Sequence, residues 1–277
     1  MVGCAAVERT VLTTGAGTGI GLATVIELAR RGFDSVAAVR SDAKARAVSR
    51  AARKAGVKVR TVILDVTDAQ ACTQVTEELK PYGLVNNAGV PASGAIEDVP
   101  DEDARAALET MVVAPMRLAR LSVPHMREQG GGRIVNISSI YGLMTTPLTG
   151  WYQASKHALE ALSDALRVEL AADGIAVVLI EPGAFRSNIW EGAGNDVQRR
   201  LDSQYFAAYR RLQDGIKASQ RLMGDPIEVA RLISSVMTAK QPKPRYLVGY
   251  DARAIDIYSK LLPTEVRDRL ARITLGL

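Results

Sequence analysis

One glycine-rich stretch decides the fold of this chain: Thr14-Gly15-Ala16-Gly17-Thr18-Gly19-Ile20-Gly21. A short apolar run at residues 10–14 precedes it, and an amphipathic run with helical period follows at residues 20–31. Glycines let the backbone of such a turn approach a diphosphate, and the free N–H groups at the helix start attract it. The stretch therefore predicts a strand, a phosphate-binding turn and a helix.

The same alternation of short apolar and longer amphipathic runs continues along the chain. It predicts further strands at residues 35–39, 58–64, 84–87, 133–138, 176–181 and 245–248, and further helices at residues 43–55, 69–80, 101–128, 152–172 and 226–239. Four glycines are predicted to close helix ends in a left-handed conformation: Gly32, Gly56, Gly83 and Gly174. The pattern indicates one α/β domain over residues 1–277, a Rossmann-type, doubly wound parallel sheet of about seven strands with helices on both faces.

Two regions depart from this alternation. Residues 187–224 follow the sixth strand without a simple return, and they hold Trp190, Tyr205, Phe206 and Tyr209 in a chain with only 5% aromatic residues. We expect this segment to be a lid over the substrate or a packed helical insertion, and one segment can be both. The tail at residues 251–277 is predicted to form one or two short helices.

The net charge of +5 raises nucleic acid as a partner, but the excess is local. Eight basic residues and one acidic residue stand between positions 40 and 60, so the rest of the chain is slightly acidic. No aromatic residue interleaves these charges. They indicate one anion site or a solvated helix face, and we expect no nucleic-acid partner.

Cys4 and Cys72 are too few for a disulfide framework and lack the spacing of metal ligands. The first eight residues have no signal-peptide pattern, and no run of 18 apolar residues occurs. We therefore expect a cytoplasmic protein with no metal site and no membrane contact.

The glycine spacing TGxxxGIG resembles the coenzyme motif of the compact short-chain dehydrogenase/reductase family. The resemblance continues in that family's order along nearly the whole chain. Its further motifs are Asp65-Val66, Asn86-Asn87-Ala88-Gly89, Ser139, the YxxxK motif from Tyr152 to Lys156, and Pro182-Gly183. The resemblance implies an oxidoreductase that uses a nicotinamide coenzyme.

The resemblance also implies which residues bind the coenzyme. They are Gly15, Thr18, Gly19, Ile20, Gly21, Asp65, Val66, Asn87, Ala88, Gly89, Tyr152, Lys156, Pro182, Gly183 and Ser187. Asp65 would hold the adenine ring, and Ser187 keeps the hydroxyl of a threonine that is usual in the family. For Asp65 and Asn87 a second interpretation stays open, because a polar residue at a strand end often caps the next turn.

Tyr152 and Lys156 stand four residues apart on a predicted helix and therefore share one face. An ammonium group close to the phenol would lower its pKa from about 10, which makes Tyr152 a candidate general acid or base. The resemblance implies that Lys156 also binds the nicotinamide ribose and that Ser139 orients the substrate oxygen. We expect these three to be the catalytic residues, while the nicotinamide transfers the hydride.

One position departs from the family. The family's long fourth helix carries an asparagine that supports a water in the proton relay, and Met111 stands there in this chain. A thioether donates no hydrogen bond and accepts one only weakly. The relay is then rebuilt from backbone and water or is impaired, so a non-catalytic dinucleotide sensor is the alternative function.

The predicted second strand ends in Val39, Arg40 and Ser41, with no acidic residue to bind the ribose 2′-hydroxyl of NAD. A guanidinium fork suits a 2′-phosphate, and the Ser41 hydroxyl could add a donor. We expect NADP(H), with NAD(H) as the alternative.

These observations lead to one expected activity. The chain is expected to interconvert a carbonyl and an alcohol with NADP(H), on a lipophilic small molecule such as a steroid or retinoid, because several stretches resemble family members acting on hydroxysteroids and retinoids. The resemblance also implies a homodimer or homotetramer that pairs through the helices at residues 101–128 and 152–172.

Overall fold

Seven parallel strands form one sheet in a computed structural model that describes residues 9–187, 190, 194, 200, 202–249, 252 and 261–277. The strands are β1 (Thr10–Thr13), β2 (Asp34–Val39), β3 (Arg60–Ile63), β4 (Gly83–Asn86), β5 (Gly132–Ile137), β6 (Ile175–Pro182) and β7 (Arg245–Val248). Their order across the sheet is β3-β2-β1-β4-β5-β6-β7, and every neighbouring pair is parallel. This order confirms the predicted doubly wound α/β fold.

Helices connect the strands and cover both faces of the sheet. Within the described residues they are α1 (Gly19–Arg30), α2 (Asp42–Lys54), α3 (Ala69–Leu79), α4 (Asp101–Leu108), α5 (Ala114–Glu128), α6 (Gly150–Glu169), α7 (Phe206–Ser219), α8 (Pro226–Thr238) and α9 (Thr264–Leu275). Side chains fix several helix starts. Asp68, for example, accepts hydrogen bonds from the backbone N–H groups of Gln70 and Ala71, both at 2.9 Å.

The core lies in two layers because successive strand residues point to opposite faces of the sheet. Leu12 and Ile134 pack with side chains of α3 and α5 on one face. Val11 and Val135 pack with side chains of α1 and α8 on the other. Burial on both faces explains why the strands are continuous apolar runs in the sequence.

One predicted helix end is wrong. Gly32, Gly56 and Gly174 have the expected positive φ of 82°, 70° and 68°, but α3 is closed by Lys80, which has a φ of 43°. Gly83 instead begins β4, and a β-carbon there would lie 2.9 Å from Sδ of Met237 on α8. Gly83 is therefore a packing position, at which α8 approaches the sheet.

The helix predicted at residues 101–128 is interrupted. A π-helical turn, Glu109–Val113, separates α4 from α5 and carries Met111. Pro115 follows it and has no N–H to complete an α-helical bond to the carbonyl of Met111. This missing donor gives a physical reason for the wider turn at that point.

Parts of the predicted lid and tail lie outside the described residues, as do Cys4 and the remainder of residues 1–8. In the lid, the described part holds α7 and a 3₁₀ turn, Gln220–Leu222; in the tail it holds α9, which packs on α7. Cys72 is buried and free of any disulfide.

We expect Gly83→Ala to lower the free energy of unfolding by about 1–3 kcal/mol, because the added methyl group overpacks the contact with Met237 and Val11. Gly215→Ala is the control. Gly215 lies inside α7 with open space around it, and alanine there should raise stability by about 0.5–1 kcal/mol. Chemical denaturation of the two variants measures both effects, and equal stabilities would contradict the packing role of Gly83.

Candidate active site

A cavity of about 750 Å³ opens at the carboxyl ends of the strands. Most of the predicted site residues line it: Gly15, Thr18, Gly19, Ile20, Arg40, Asp65, Val66, Asn87, Ala88, Gly89, Ser139, Tyr152, Lys156, Pro182, Gly183 and Ser187. Parallel strands bring these loops to one edge of the sheet, which is where open α/β sheets bind ligands.

Two predicted coenzyme residues do not line the cavity. Gly21 is buried, and a β-carbon there would lie 2.6 Å from both Nδ2 of Asn87 and the carbonyl oxygen of Gly15. The hydroxyl of Ser41 caps α2 by accepting from the N–H of Lys44 at 3.4 Å. Gly21 therefore permits close packing of α1 on the glycine turn, and Ser41 caps the start of α2.

The glycine turn is tied to the end of β4 by a set of short hydrogen bonds. The Thr14 hydroxyl accepts from the N–H groups of Asn87 and Ala88, both at 3.0 Å. The amide of Asn87 donates in return to the carbonyls of Thr14 and Gly15, at 2.9 Å and 3.2 Å. Asn87 therefore lines the cavity and holds the turn, instead of capping the next turn of its own chain segment.

The open end of the cavity carries two cations. Arg40 is exposed at the end of β2, and Lys44 of α2 crosses the glycine turn, with Cδ 3.1 Å from the position of a β-carbon on Gly17. Sequence reasoning missed Lys44, although it stands four residues after Arg40 in the same basic segment. The two side chains make this end of the cavity positive.

Asp65 lies at the same end of the cavity and caps a turn there. Its carboxylate accepts from the N–H of Thr67 at 3.0 Å and from the Thr67 hydroxyl at 2.7 Å, and these bonds hold its pKa below the usual value. The same residue lines the cavity. Asp65 therefore caps a turn and is an anionic part of the wall.

The start of α6 brings the three predicted catalytic side chains together at the end of β5. The Ser139 hydroxyl accepts from the N–H of Tyr141 at 3.2 Å, and the Tyr141 ring stands edge-on to Tyr152, with centroids 6.1 Å apart. Nζ of Lys156 donates to the carbonyl oxygen of Ile137 at 2.8 Å and lies 5.6 Å from the centroid of the Tyr152 ring.

The predicted direction of the tyrosine pKa shift is wrong. Burial raises the pKa of Tyr152 to about 12, the hydrogen bond from Ser139 opposes this, and Tyr141 adds to it. Burial also lowers the pKa of Lys156 to about 8, against the raising effect of Glu160. Loss of water therefore outweighs any attraction between the ammonium group and a phenolate, and it favours the neutral phenol.

Met111 itself does not line the cavity, but its neighbour Thr110 does. The Met111 side chain is buried, and Sδ lies 3.8 Å from the position of a β-carbon on Gly89. Met111 therefore packs beside Gly89 and does not reach the cavity.

A buried hydrogen-bonded chain that sequence reasoning missed links this region to α6. Asn86 donates to the carbonyl of Pro115 at 3.3 Å and to Oδ1 of Asn136 at 2.8 Å, and Asn136 donates to the Ser163 hydroxyl at 2.8 Å. The chain joins β4 and β5 to α5 and α6. It fixes the helix that carries Tyr152 against the end of the sheet.

Described residues of the segment 187–224 and of the tail form the far end of the cavity. Its mostly apolar lining includes Trp190, Leu212, Ile216 and Leu275, and Arg211 is a charged member of the wall there. Tyr209 is instead fully buried, where its hydroxyl donates to Asp98 at 2.7 Å and accepts from the N–H of Ala95 at 2.6 Å. The described part of the segment is therefore a packed insertion that also forms a wall of the cavity.

The described residues hold neither a candidate metal centre nor a membrane-spanning helix. None of their histidine, cysteine and acidic side chains form a group of three or more that could hold a metal ion. No helix within the same ranges has both the length and the apolar character needed to cross a membrane.

The chain belongs to the short-chain dehydrogenase family, whose sequence model matches residues 9–198, and it is an oxidoreductase of that family. It is 33% identical over 274 residues to the NADPH-dependent 3-dehydrocapnine reductase of Ornithobacterium rhinotracheale, with 95% of each chain covered. It is 29% identical over 284 residues to retinol dehydrogenase 16 of Rattus norvegicus, covering 95% of this chain and 87% of the relative. Actinorhodin polyketide ketoreductase, crystallised as a variant with NADPH, matches with a TM-score of 0.74 and 28% identity over 87% of this chain and 95% of its own.

Proposed function

We propose that this protein is an NADP(H)-dependent oxidoreductase that interconverts a carbonyl and an alcohol on a lipophilic substrate. The observation that carries the proposal is the meeting of Ser139, Tyr152 and Lys156 at one wall of a cavity whose other end is a glycine turn. The alternative is a dinucleotide-binding sensor, and the buried Met111 at the position of the relay asparagine is the observation that favours it.

The residues of the cavity fit a dinucleotide. A β-carbon on Gly15 would lie 2.8 Å from Cα of Ala88, so only glycine leaves this part of the turn open. Thr18, the residue before α1, makes no capping bond with its side chain, so the first N–H groups of that helix are available to a phosphate. Gly15, Thr18, Gly19 and Ile20 would hold the diphosphate, and Asp65 and Val66 would border the adenine.

Charge at the open end favours NADP(H) over NAD(H). Arg40 and Lys44 are both exposed cations there, and β2 ends in the apolar Val39, not in an acidic residue. A 2′-phosphate would gain ion pairs with these two side chains. Two proteins similar to this chain, the capnine reductase and the polyketide ketoreductase, are described with NADPH.

When bound, the nicotinamide supplies or accepts the hydride. With a pKa raised to about 12, Tyr152 is a neutral phenol at neutral pH and can donate its proton to a substrate oxygen. The Ser139 hydroxyl would orient that oxygen, and the ammonium group of Lys156 would stabilise the phenolate that remains. These charge states favour reduction of a carbonyl at neutral pH.

The apolar far end of the cavity favours a lipophilic substrate, such as a steroid, a retinoid or a similar molecule. Trp190, Leu212, Ile216 and Leu275 offer apolar surface, which is typical of pockets for such ligands. One relative carries the name of a retinol dehydrogenase.

We also propose a cytoplasmic homodimer or homotetramer. Leu162 and Val168 of α6 and Val113 of the π-helical turn are exposed apolar side chains on the predicted pairing helices, with exposed fractions of 41%, 67% and 46%. Association of these faces would bury them.

We expect Arg40→Asp to weaken NADPH binding at least about tenfold relative to NADH, because a carboxylate repels the 2′-phosphate and can bind a 2′-hydroxyl. Arg50→Asp is the control, since Arg50 is an exposed residue of the same basic segment outside the cavity. Titration of both coenzymes by fluorescence measures the preference. An equal preference for NADPH over NADH in the two variants would mean that Arg40 is a surface charge with no role in coenzyme binding.

We expect Tyr152→Phe to lower the rate of carbonyl reduction by about 100-fold or more while NADPH binding stays within about twofold, because only the proton donor is removed. Assays of NADPH oxidation with a panel of ketones and aldehydes measure the rate. If the unaltered protein binds NADPH but oxidises it with none of the carbonyl compounds, the proposed enzymatic activity is excluded. The dinucleotide-binding sensor is then the favoured function.

The pH dependence should differ between the two directions of the reaction. Reduction should be nearly constant between about pH 6 and pH 8 and fall above pH 8, where Lys156 loses its proton. The rate of alcohol oxidation should instead rise from pH 6 to pH 8, because its base is the phenolate of Tyr152, whose pKa is raised to about 12. Oxidation that is already maximal at pH 7 would contradict the burial effect.

A further inference from the structure

A partly buried cluster of three acidic side chains around one arginine lies next to the catalytic helix α6. Glu160 and Asp164 belong to α6, Glu181 to β6, and Arg245 begins β7. Nη1 of Arg245 donates to the carboxylate of Glu160 and to Oε1 of Glu181, the latter at 2.7 Å, and Nη2 donates to Asp164. The proposed reaction gives these four residues no role.

The cluster holds more acidic groups than one arginine can balance. Glu160 and Glu181 are only 6% and 2% exposed, and they share Arg245. Burial and the neighbouring Glu160 carboxylate raise the pKa of Glu181 to about 7, against the effect of Arg245. Glu181 therefore keeps its proton until the pH approaches neutrality.

Glu160 also faces the catalytic lysine. It stands one helical turn after Lys156, and both side chains are buried on the same face of α6. Oε1 of Glu160 and Oγ of Ser138 lie 3.2 Å and 2.9 Å from the position of a β-carbon on Gly142, so the carboxylate reaches the turn that carries the catalytic serine. Within the described parts of the chain, neither of these two atoms has a hydrogen-bond partner.

Lys156 has few other groups to stabilise its charge. Its ammonium group donates to the carbonyl oxygen of Ile137, and burial works against its protonation. Glu160 is the acidic group whose charge opposes that effect.

We propose that Glu160, anchored by Arg245, is a positioning residue that keeps Lys156 in its ammonium form during the reaction at Tyr152. The inference rests on the proposed function for its catalytic consequence. Glu160 does not line the cavity and therefore acts through Lys156. Asp164 and Glu181 hold Arg245 in place from α6 and β6, and Ser138 faces the carboxylate from the end of β5.

The test compares Glu160→Gln with the unaltered protein. The pKa of Lys156 is measured by NMR titration of lysine-labelled protein, with the resonance assigned through Lys156→Arg. Without the carboxylate this pKa should fall by about one unit or more, because an opposite charge at close range is lost. The decline of the reduction rate at high pH should move down by the same amount, with NADPH binding unchanged.

Asp164→Asn is the matched control, because Asp164 binds the same arginine but has no direct effect on Lys156. It should leave both the NMR titration and the pH profile where they are. An unmoved Lys156 in Glu160→Gln, or an equal shift in Asp164→Asn, would overturn the inference.

A second variant, Glu160→Asp, covers the case in which Glu160→Gln does not fold. It keeps the carboxylate but withdraws it from Lys156 by one methylene group, so the pKa of Lys156 should fall below its value in the unaltered protein. An unmoved pKa would overturn the inference. The NMR results do not depend on turnover. A protein that reduces no carbonyl therefore contradicts the proposed function and leaves this inference to be decided by the titration.

Discussion

Partial loss of water around the neighbouring Tyr152 and Lys156 is the constraint on which the proposed chemistry of this site depends. Less water is left to stabilise their charged forms, so the pKa of the phenol is raised and the pKa of the ammonium group is lowered. The Ile137 carbonyl at 2.8 Å partly replaces that water for Lys156. An acid and a base whose pKa values are shifted by their surroundings are typical of a site that transfers protons.

The sheet makes this arrangement possible because its parallel strands end at one edge. Thr14 and Asn87 tie the glycine turn after β1 to the end of β4, and Asn86 and Asn136 tie β4 and β5 to the helix that carries Tyr152. The proposed coenzyme site and the proposed site of proton transfer are therefore built on neighbouring strands that are linked by hydrogen bonds. A displacement of the glycine turn would therefore also shift the helix that carries Tyr152.

The sequence allows the sheet, most helix boundaries and most of the cavity wall to be predicted, because these depend on local periodicity and on motifs of fixed spacing. Contacts between distant segments are less accessible. Lys44 crosses the glycine turn only when α2 has folded against β2 and β3, and Leu275 reaches the cavity only because α9 packs on α7. Neither contact has a local pattern in the sequence.

The direction of the tyrosine pKa shift could not be predicted for a similar reason. A four-residue spacing places Lys156 near Tyr152, but the amount of water that each loses depends on the end of β5, on Tyr141 and on the packing of α6. The π-helical turn before Pro115 could not be predicted either, because the missing N–H of Pro115 matters only within a continuous helix that includes α5.

The most direct test is a spectroscopic pH titration of the tyrosinate absorbance, taken as the difference between the unaltered protein and its Tyr152→Phe variant. The account predicts no phenolate from Tyr152 at neutral or moderately alkaline pH, since its pKa is raised to about 12. A phenolate that forms near neutral pH would contradict the claim that burial keeps the proton on Tyr152.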